Sequence, residues 1–231
     1  MSLTVAPARA PAPVLDTQLI EIKPVALRWL DASRMDKRRI LVLQGHPDPQ
    51  GGHLAHALAE AYVQAARKAG HEVAELSVAQ LDFPLLQSKA DWMNAGTLPA
   101  SLAPAQALIR EAEHLVILFP LWLGDMPALL KGFFEQVARP GFALGDPEGP
   151  ARLPRKLLTG RSARLVVTMG MPAFAYRWFY GAHSLKSLRR NVLHFVGISP
   201  VRATLFGGVE SGSGHVPRML AAMQRLGEQA A

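Results

Sequence analysis

The stretch that decides the fold runs from Phe119 to Gly132 and reads FPLWLGDMPALLKG. It follows an apolar run, Leu115 to Leu118, that is typical of a buried strand. A helix is predicted to begin within it, with Asp125 as the N-cap and Pro127 in the first turn. Apolar and aromatic residues are unusual in such a loop, because loops normally face water. Since open α/β sheets bind ligands at the carboxyl ends of their strands, this loop predicts a flat, hydrophobic ligand.

Strands and helices alternate on both sides of this junction. The predicted strands cover residues 40–43, 72–78, 114–119, 164–168 and 201–206. The predicted helices cover residues 53–68, 104–113, 126–139, 184–196 and 216–226. This alternation predicts an α/β fold, in which a doubly wound sheet of five parallel strands, in the order 2-1-3-4-5, carries helices on both faces. Two long connections, residues 82–102 and 141–158, are placed to wall a pocket or to form a subunit contact.

The composition excludes several classes of protein. Hydrophobic residues make up 49% of the 231 residues and charged residues 19%, which is enough apolar surface for a sizeable core. There is no cysteine, so disulfides, thiolate nucleophiles and cysteine-bound metals are excluded. The net charge of +7 is scattered and accompanies no nucleic-acid-binding motif, so we predict no nucleic acid partner. No apolar run is long enough to span a bilayer and the first residues make a poor secretory signal, so we expect no membrane span and a cytoplasmic location.

The first 36 residues differ in character from the rest. They are rich in alanine and proline and have weak periodicity, so we predict that residues 1–36 are an N-terminal extension outside the fold, disordered in solution. Met35 is followed at once by charged residues and a strand. A second hypothesis is therefore that translation begins at Met35 and that the preceding residues are a gene-model artefact. Residues 37–231 are predicted to form one domain.

The turn that follows the first predicted strand reads GHPDPQGGH, from Gly45 to His53. A helix begins at its end, and a helix N-terminus carries unpaired N–H groups and a partial positive charge that suit a phosphate. Gly51 and Gly52 allow the backbone to approach such a group closely. An ordinary glycine- and proline-containing loop is the alternative interpretation, and the turn alone does not decide between them.

Other known motifs are missing from the chain. There is no GxxxxGK[ST] loop of a P-loop NTPase, no GxGxxG after a strand and no GxSxG elbow of an α/β-hydrolase. His46, His53 and His56 lie close together in the sequence, but no HExxH motif or carboxylate partner accompanies them. We therefore predict no metal site.

A third signal lies at the end of the fourth predicted strand, at Thr168-Met169-Gly170-Met171. The threonine supplies a hydroxyl group, and Gly170 lets the backbone approach a ring edge. The segment after it, from Pro172 to His183, is rich in aromatic residues. It is either a hydrophobic loop that packs on the sheet or an aromatic wall beside a planar ligand. A phosphate loop, an apolar loop and a Thr/Gly loop at the carboxyl ends of central strands together favour a flavin nucleotide.

At these positions the chain resembles the flavodoxin-like NAD(P)H dehydrogenase (quinone) family. The resemblance runs from Arg39 to Leu226. It is carried by His46-Pro47, by the stretch from Phe119 to Phe133, by Pro140-Gly141-Phe142-Ala143 and by the run from Val196 to Val201. It implies a flavodoxin-like fold, so that residues 37–231 would be a flavin-binding domain.

The resemblance also implies an activity and an assembly. Such a protein is a homodimer with flavin sites, FMN or FAD, at the subunit interface. It transfers hydride from NADPH or NADH to the flavin and then to a planar acceptor such as a quinone, in a ping-pong two-electron cycle. The protein orients the flavin and excludes side reactions.

The resemblance assigns roles to particular residues. The phosphate or ribityl group would be held by His46, Gly51, Gly52, His53 and Leu54. The isoalloxazine ring would contact Pro120, Leu121, Trp122, Leu123 and Gly124, and its pyrimidine side would be bound by Thr168, Met169, Gly170 and Met171. Tyr180 and His183 resemble the family's catalytic Tyr/His pair, although their spacing differs. The chain also departs from the family by two glycines and a histidine where many relatives have Ser and Asn, and by Met171 in place of a second glycine.

Three interpretations of function stay open. The first is a flavin-dependent NAD(P)H oxidoreductase that reduces quinones, or nitro and azo compounds. The second is a flavin-binding regulatory subunit of a potassium-efflux transporter. The third is a flavodoxin-like electron carrier, which the long connections, the aromatic segment and the basic charge disfavour. FMN versus FAD and NADH versus NADPH also stay open.

Overall fold

The computed structural model describes residues 37–94, 98–148, 153–210 and 212–231, and the predictions for residues 1–36 lie outside this part. Numbered in chain order, its strands are β1 Arg39–Gln44, β2 Glu72–Ser77, β3 His114–Pro120, β4 Leu144–Glu148, β5 Leu153–Lys156, β6 Ser162–Met169 and β7 Val201–Gly207. Five of them form one parallel sheet in the order β2-β1-β3-β6-β7. Since β6 and β7 are the fourth and fifth strands of this sheet, its order is the predicted 2-1-3-4-5, and the fold class is confirmed.

The helices follow the predicted alternation. They are α1 Leu54–Lys68, α2 Lys89–Met93, α3 Ala103–Glu111, α4 Ala128–Val137, α5 Ala173–Trp178, α6 His183–Ser187, α7 His194–Val196 and α8 Val216–Glu228. A π-helical segment, Leu188–Leu193, joins α6 to α7, so the helix predicted at 184–196 is present as one helical stretch. No helix of the described residues has the length and apolar character that crossing a membrane requires.

The central strand β3 is buried at all seven positions, which shows that the sheet is covered on both faces. Alternate residues of the strands point to opposite sides. Leu41, Leu43 and Ile117 belong to one buried cluster, which includes residues of α3 and α4. Val42 and Leu118 belong to the other, which includes residues of α1 and α8. The helices therefore cover both faces, as predicted.

The predicted start of α4 is wrong by two residues. Asp125 is not its N-cap, because the helix begins at Ala128 with Pro127 in the N-cap position. The backbones of Trp122 and Asp125 instead bond to each other in both directions, at 2.8 and 2.9 Å. Leu123 and Gly124 turn the chain between them with φ angles of +49° and +82°. The apolar loop is thus a closed two-residue turn, and the helix starts after it.

Both long connections contain regular structure that sequence reasoning did not predict. The one at 141–158 holds an antiparallel hairpin of β4 and β5. The one at 82–102 holds α2, and Arg139 fixes it by donating hydrogen bonds to the carbonyl oxygens of Asp91 and Asn94, at 2.8 and 2.9 Å. The aromatic segment at 172–183 is also partly helical, since it contains α5. Short helices escape prediction because tertiary contacts, rather than periodicity, stabilise them.

Candidate functional site

The three loops predicted to meet do lie side by side at the carboxyl edge of the sheet. The N–H of Gly45, after β1, donates to the carbonyl oxygen of Leu118 in β3 at 2.7 Å. The N–H of Leu121, after β3, donates to the carbonyl oxygen of Thr168 in β6 at 2.8 Å. The hydrogen bonding of the sheet thus continues into the loops and fixes their positions relative to one another.

The first turn is anchored by Gln44, a buried residue that sequence reasoning missed. Its side-chain oxygen accepts the N–H of His46 at 3.0 Å, and its amide nitrogen donates to the carbonyl oxygen of Ala55, also at 3.0 Å. One side chain therefore joins the strand end, the turn and the first turn of α1. The signal in the sequence was an amide at the end of an otherwise apolar strand.

Beyond this anchor the turn has the features of an anion cradle. Gly51 and Gly52 have φ angles of +79° and +78°, and a Cβ atom built on either would meet nothing within 4 Å. His53 is the N-cap of α1, and its side chain makes no capping hydrogen bond. The first N–H groups of a helix have no intrahelical partner. An open surface beside an uncapped helix end is suited to a phosphate group.

Three histidines flank this cradle. The ring of His46 stacks on the ring of His53, with centroids 4.0 Å apart and planes 17° apart, and the ring of His56 lies 5.2 Å from His46. Asp48 connects two of them: its N–H donates to Nδ1 of His46 at 3.1 Å, and its Oδ2 lies 2.7 Å from Nε2 of His53. Among the described residues, no group of three or more His, Asp or Glu side chains is arranged to hold a metal ion.

Burial and the charge of neighbouring histidines lower the pKa values of His46 and His56. Burial lowers the pKa of His46, and the neighbouring His53 and His56 lower it further. Burial likewise lowers the pKa of His56. The hydrogen bond from His53 lowers the pKa of the Asp48 carboxyl. His46 is therefore neutral at neutral pH, and the N–H of Asp48 keeps its Nδ1 as an acceptor.

The apolar loop presents one ring beside the first turn. Trp122 is 51% exposed, and its ring meets the ring of His46 edge-on at 5.9 Å. Pro120 is the buried last residue of β3, and Leu121 is half-buried. Leu123 projects fully into solvent at the tip of the turn, next to Gly124. Thus Trp122 is the aromatic surface of this loop nearest the cradle.

The third loop begins at the end of β6, where burial changes from complete to partial. Thr168 and Met169 are the last two residues of the strand and are buried, whereas Gly170 and Met171 form the turn after it. The carboxyl group of Glu210 lies over Gly170, where a Cβ atom would be 3.0 Å from it. The carbonyl oxygen of Thr168 is already bonded to Leu121. Glu210, which follows β7, is a second residue near the site that the sequence did not indicate.

The aromatic segment divides into a buried and an exposed part. Tyr176 is buried, and its hydroxyl bonds to Oγ of Ser184 at 2.6 Å and accepts the N–H of Leu185 at 3.2 Å. The other four aromatic side chains are exposed: Phe174, Trp178, Phe179 and Tyr180. Within the described part of the chain, no side-chain hydrogen bond connects Tyr180 or His183 with the first turn. His183 lies against Gly181, where a Cβ atom would be 2.8 Å from Nε2.

Comparison with known proteins agrees with this architecture. The family model for a flavodoxin-like fold matches residues 38–230, so the chain belongs to that family. A ribosyldihydronicotinamide dehydrogenase-like protein of Penicillium crustosum is 29% identical over 178 residues, which cover 67% of this chain and 64% of that protein. The chain thus spans less than two thirds of the length of this relative.

Two further relatives are named as enzymes. NAD(P)H dehydrogenase [quinone] 1 of Cavia porcellus is 27% identical over 205 residues, or 78% of this chain and 70% of that protein. The solved NAD(P)H:quinone oxidoreductase of Methanothermobacter marburgensis has a TM-score of 0.70 at 22% identity, over 85% of this chain and all of that one, and shows the shared fold. The predicted resemblance to the NAD(P)H dehydrogenase (quinone) family is confirmed, and oxidoreductase is the enzyme class that the comparisons support.

Two more similarities are weaker, one in sequence identity and the other in coverage. A solved FMN-dependent NADH-azoreductase from Bacillus anthracis, in complex with FMN, has a TM-score of 0.62 at 15% identity over 84% of this chain and 97% of that one. A glutathione-regulated potassium-efflux system ancillary protein of Escherichia coli is 42% identical, but over only 73 residues, or 32% of this chain and 36% of that protein.

Proposed function

We propose that this protein is a flavin-dependent NAD(P)H oxidoreductase that reduces quinones or similar planar acceptors in a ping-pong cycle of two-electron hydride transfer. The observation that carries the proposal is the juxtaposition of an open cradle, Gly51-Gly52 before the uncapped α1, with the half-exposed ring of Trp122. A flavin nucleotide needs these two surfaces, one for its phosphate and one for its ring system.

The residues present fit such a group, FMN or FAD. The phosphate and ribityl chain would be held by the backbone of Gly51, Gly52 and Leu54 with the His46–His53 stack beside them. The isoalloxazine ring would lie against Pro120 to Gly124, with Trp122 as its main apolar contact. The backbone from Thr168 to Met171 would bind the pyrimidine side. When bound, the flavin supplies the hydride chemistry, and the protein supplies orientation and exclusion of water.

The remaining roles concern the acceptor and the assembly. Tyr180 and His183 would donate hydrogen bonds or protons to the acceptor, and NADPH or NADH would occupy the same pocket before it. A homodimer is supported by the exposed aromatic group, since Trp178 and Phe179 are each 82% exposed. Monomeric proteins rarely leave such large apolar side chains together in water. In a dimer these residues would cover the site from the partner subunit.

The similarity to a potassium-efflux ancillary protein supports a second candidate, a flavin-binding regulatory subunit of such a transporter. It covers a third of the chain, whereas the similarity to the NAD(P)H dehydrogenase covers more than three quarters. We therefore place the enzyme first. The two candidates differ in activity, because a regulatory subunit without turnover would bind flavin but would not oxidise NADPH when quinone is added.

A visible absorption spectrum of the purified protein tests the proposal. After loading with FMN or FAD, the flavin band should bleach anaerobically with NADPH or NADH and return when a benzoquinone is added. The variant Gly52→Val should lose the flavin, because a branched side chain fills the cradle at a φ of +78°. The matched control is Gly160→Val, which has the same φ of +78° and equally open surroundings at the other edge of the sheet. Absence of flavin binding in the unmodified protein would overturn the proposal.

A further inference from the structure

A cavity lies at the amino edge of the sheet, opposite the candidate flavin site. It has a volume of about 910 Å³. Its walls are the residues before β1, the first residues of β3, β6 and β7, and the end of α8. The volume is within the range of small-molecule sites, which is roughly 300–1,000 Å³. Strands of a parallel sheet present opposite ends to the two edges, so this cavity is separate from the site described above.

Positive charges predominate in its walls. Lys37, Arg38, Arg161 and Arg202 line it, against the carboxylates Glu113 and Glu228. Glu113 is already engaged, because its carboxylate accepts the N–H of Arg39 at 2.8 Å and lies 3.4 Å from the guanidinium of that residue. The cavity therefore carries excess positive charge and attracts anions.

Part of this charge has a structural role. Arg38 donates to the carbonyl oxygen of Ala230 at the end of α8, at 3.3 Å, and Arg161 donates to the carbonyl oxygens of Ile109 and Thr159. Lys37 and Arg202 differ, since neither side chain makes a hydrogen bond or ion pair within the part of the chain that the structure describes. Hydrogen bonds to backbone carbonyl groups thus explain Arg38 and Arg161 but not Lys37 and Arg202.

A buried imidazole stands in the wall of the cavity. His114 lines the cavity and is only 3% exposed. Its Nδ1 lies 2.7 Å from Oγ of Ser162, but its Nε2 is buried without a hydrogen-bond partner among the described residues. Such a group is costly to leave unpaired, and native structures contain few of them.

The surrounding charges repel one another. Burial, together with the charges of Arg38, Arg164 and Arg202, lowers the pKa of His114 to about 4. Burial together with Arg202 lowers the pKa of Arg164. Burial together with Arg110 and Arg39 lowers the pKa of Arg161. Neighbouring positive charges disfavour the protonated form of each of these groups. A bound anion would offset this repulsion and stabilise the protonated forms.

We propose that this cavity binds a small multivalent oxyanion, of the polyphosphate or polycarboxylate class, between Arg202 and Lys37 with His114 at its base. The guanidinium of Arg202 is suited to bidentate contact with such oxygens. This site would lie at the amino edge of the sheet, which the proposed oxidoreductase reaction does not use. Anion binding there would not depend on flavin binding.

Calorimetric titration of the full chain with pyrophosphate, and separately with citrate, at constant ionic strength tests this proposal. We expect saturable binding, weakened about tenfold or more in Arg202→Gln and in Lys37→Gln, because each loses a charge-assisted hydrogen bond. Arg190→Gln, which removes the same charge from an exposed helical position, should leave binding unchanged. Binding of pyrophosphate alone or of citrate alone would identify the class.

The cradle at the first turn could also take up a phosphate, so the titration is repeated with Gly52→Val. Retained binding in this variant together with loss in Arg202→Gln supports the cavity. The proposal is overturned if no saturable binding occurs, if Arg190→Gln weakens binding as much as Arg202→Gln, or if only Gly52→Val abolishes it.

Discussion

The side-chain oxygen of Gln44 accepts the backbone N–H of His46 at 3.0 Å, in a position closed to solvent. The same amide group holds the carbonyl oxygen of Ala55 in the first turn of α1. The geometry of the candidate phosphate cradle therefore depends on a residue that does not itself line it. Removing one partner of a buried hydrogen bond costs more stability than the bond itself contributes, because the other partner stays buried without a bond.

We expect Gln44→Leu to lower the free energy of unfolding by about 2 kcal/mol, since the N–H of His46 would stay buried without an acceptor. The variant should also weaken FMN binding, because the turn and the helix end lose their common anchor. Urea denaturation and a flavin titration measure the two effects. Gln64→Leu is the control, because Gln64 is an exposed amide on α1 whose side chain donates to Glu60. Equal flavin affinity in Gln44→Leu and the unmodified protein would show that the turn does not depend on this anchor.

The second prediction concerns the ring beside the cradle. Trp122→Ala should weaken flavin binding, or raise the KM for the acceptor, by roughly tenfold, which is the size of a lost aromatic contact. Phe195→Ala removes an exposed ring from α7, the helix that leads to the amino edge of the sheet, and should change neither quantity. If flavin content and kinetics both stay unchanged in Trp122→Ala, the apolar loop has been assigned wrongly.

The third prediction separates two tyrosines. Tyr180→Phe and His183→Gln should slow the reoxidation of the reduced flavin by quinone about tenfold to a hundredfold in stopped-flow experiments, with little effect on thermal stability. Tyr176→Phe should lower thermal stability and leave the rate of flavin reoxidation unchanged. The buried hydroxyl of Tyr176 makes hydrogen bonds to Ser184 and Leu185, which this variant loses. Loss of rate only in Tyr176→Phe would transfer the catalytic role to that residue.

The fourth prediction is a dependence of stability on pH at the amino edge. His114 has its pKa lowered from 6.5 to about 4 in the folded protein. Between these values the unfolded chain binds a proton that the folded chain excludes, so stability falls as the pH drops from 6.5 towards 4. The loss over this window is about 3 kcal/mol from this residue, at roughly 1.4 kcal/mol per pKa unit.

Urea denaturation across this range, in buffers without multivalent anions, checks the prediction. His114→Gln should flatten the dependence relative to the unmodified protein, because glutamine does not titrate. His215→Gln, at an exposed position before α8, should leave the slope as it was. An identical slope in all three proteins would mean that His114 is not held neutral by its surroundings.

Local patterns in the sequence were sufficient for the fold and for the edge at which the loops meet. The apolar run from Leu115 to Leu118 is typical of a central strand, and the alternation of strands with helices predicts a parallel doubly wound sheet. The carboxyl ends of such strands share one edge, so the turns after Gln44, Pro120 and Met169 had to be neighbours. Glycine spacing and the entry into α1 made a phosphate cradle one of two open interpretations of the first turn.

Only the tertiary structure decided which side chains face the site and which support it. Asp125 reads as a helix cap, but pairing with Trp122 through a turn of positive φ moves the helix start. Tyr176 and Tyr180 look alike in sequence, and burial against Ser184 separates them. The basic cavity gathers Arg38, His114, Arg161 and Arg202 from four distant stretches. Burial, hydrogen-bond partners and charge clustering depend on contacts between residues far apart in the chain, which sequence periodicity does not record.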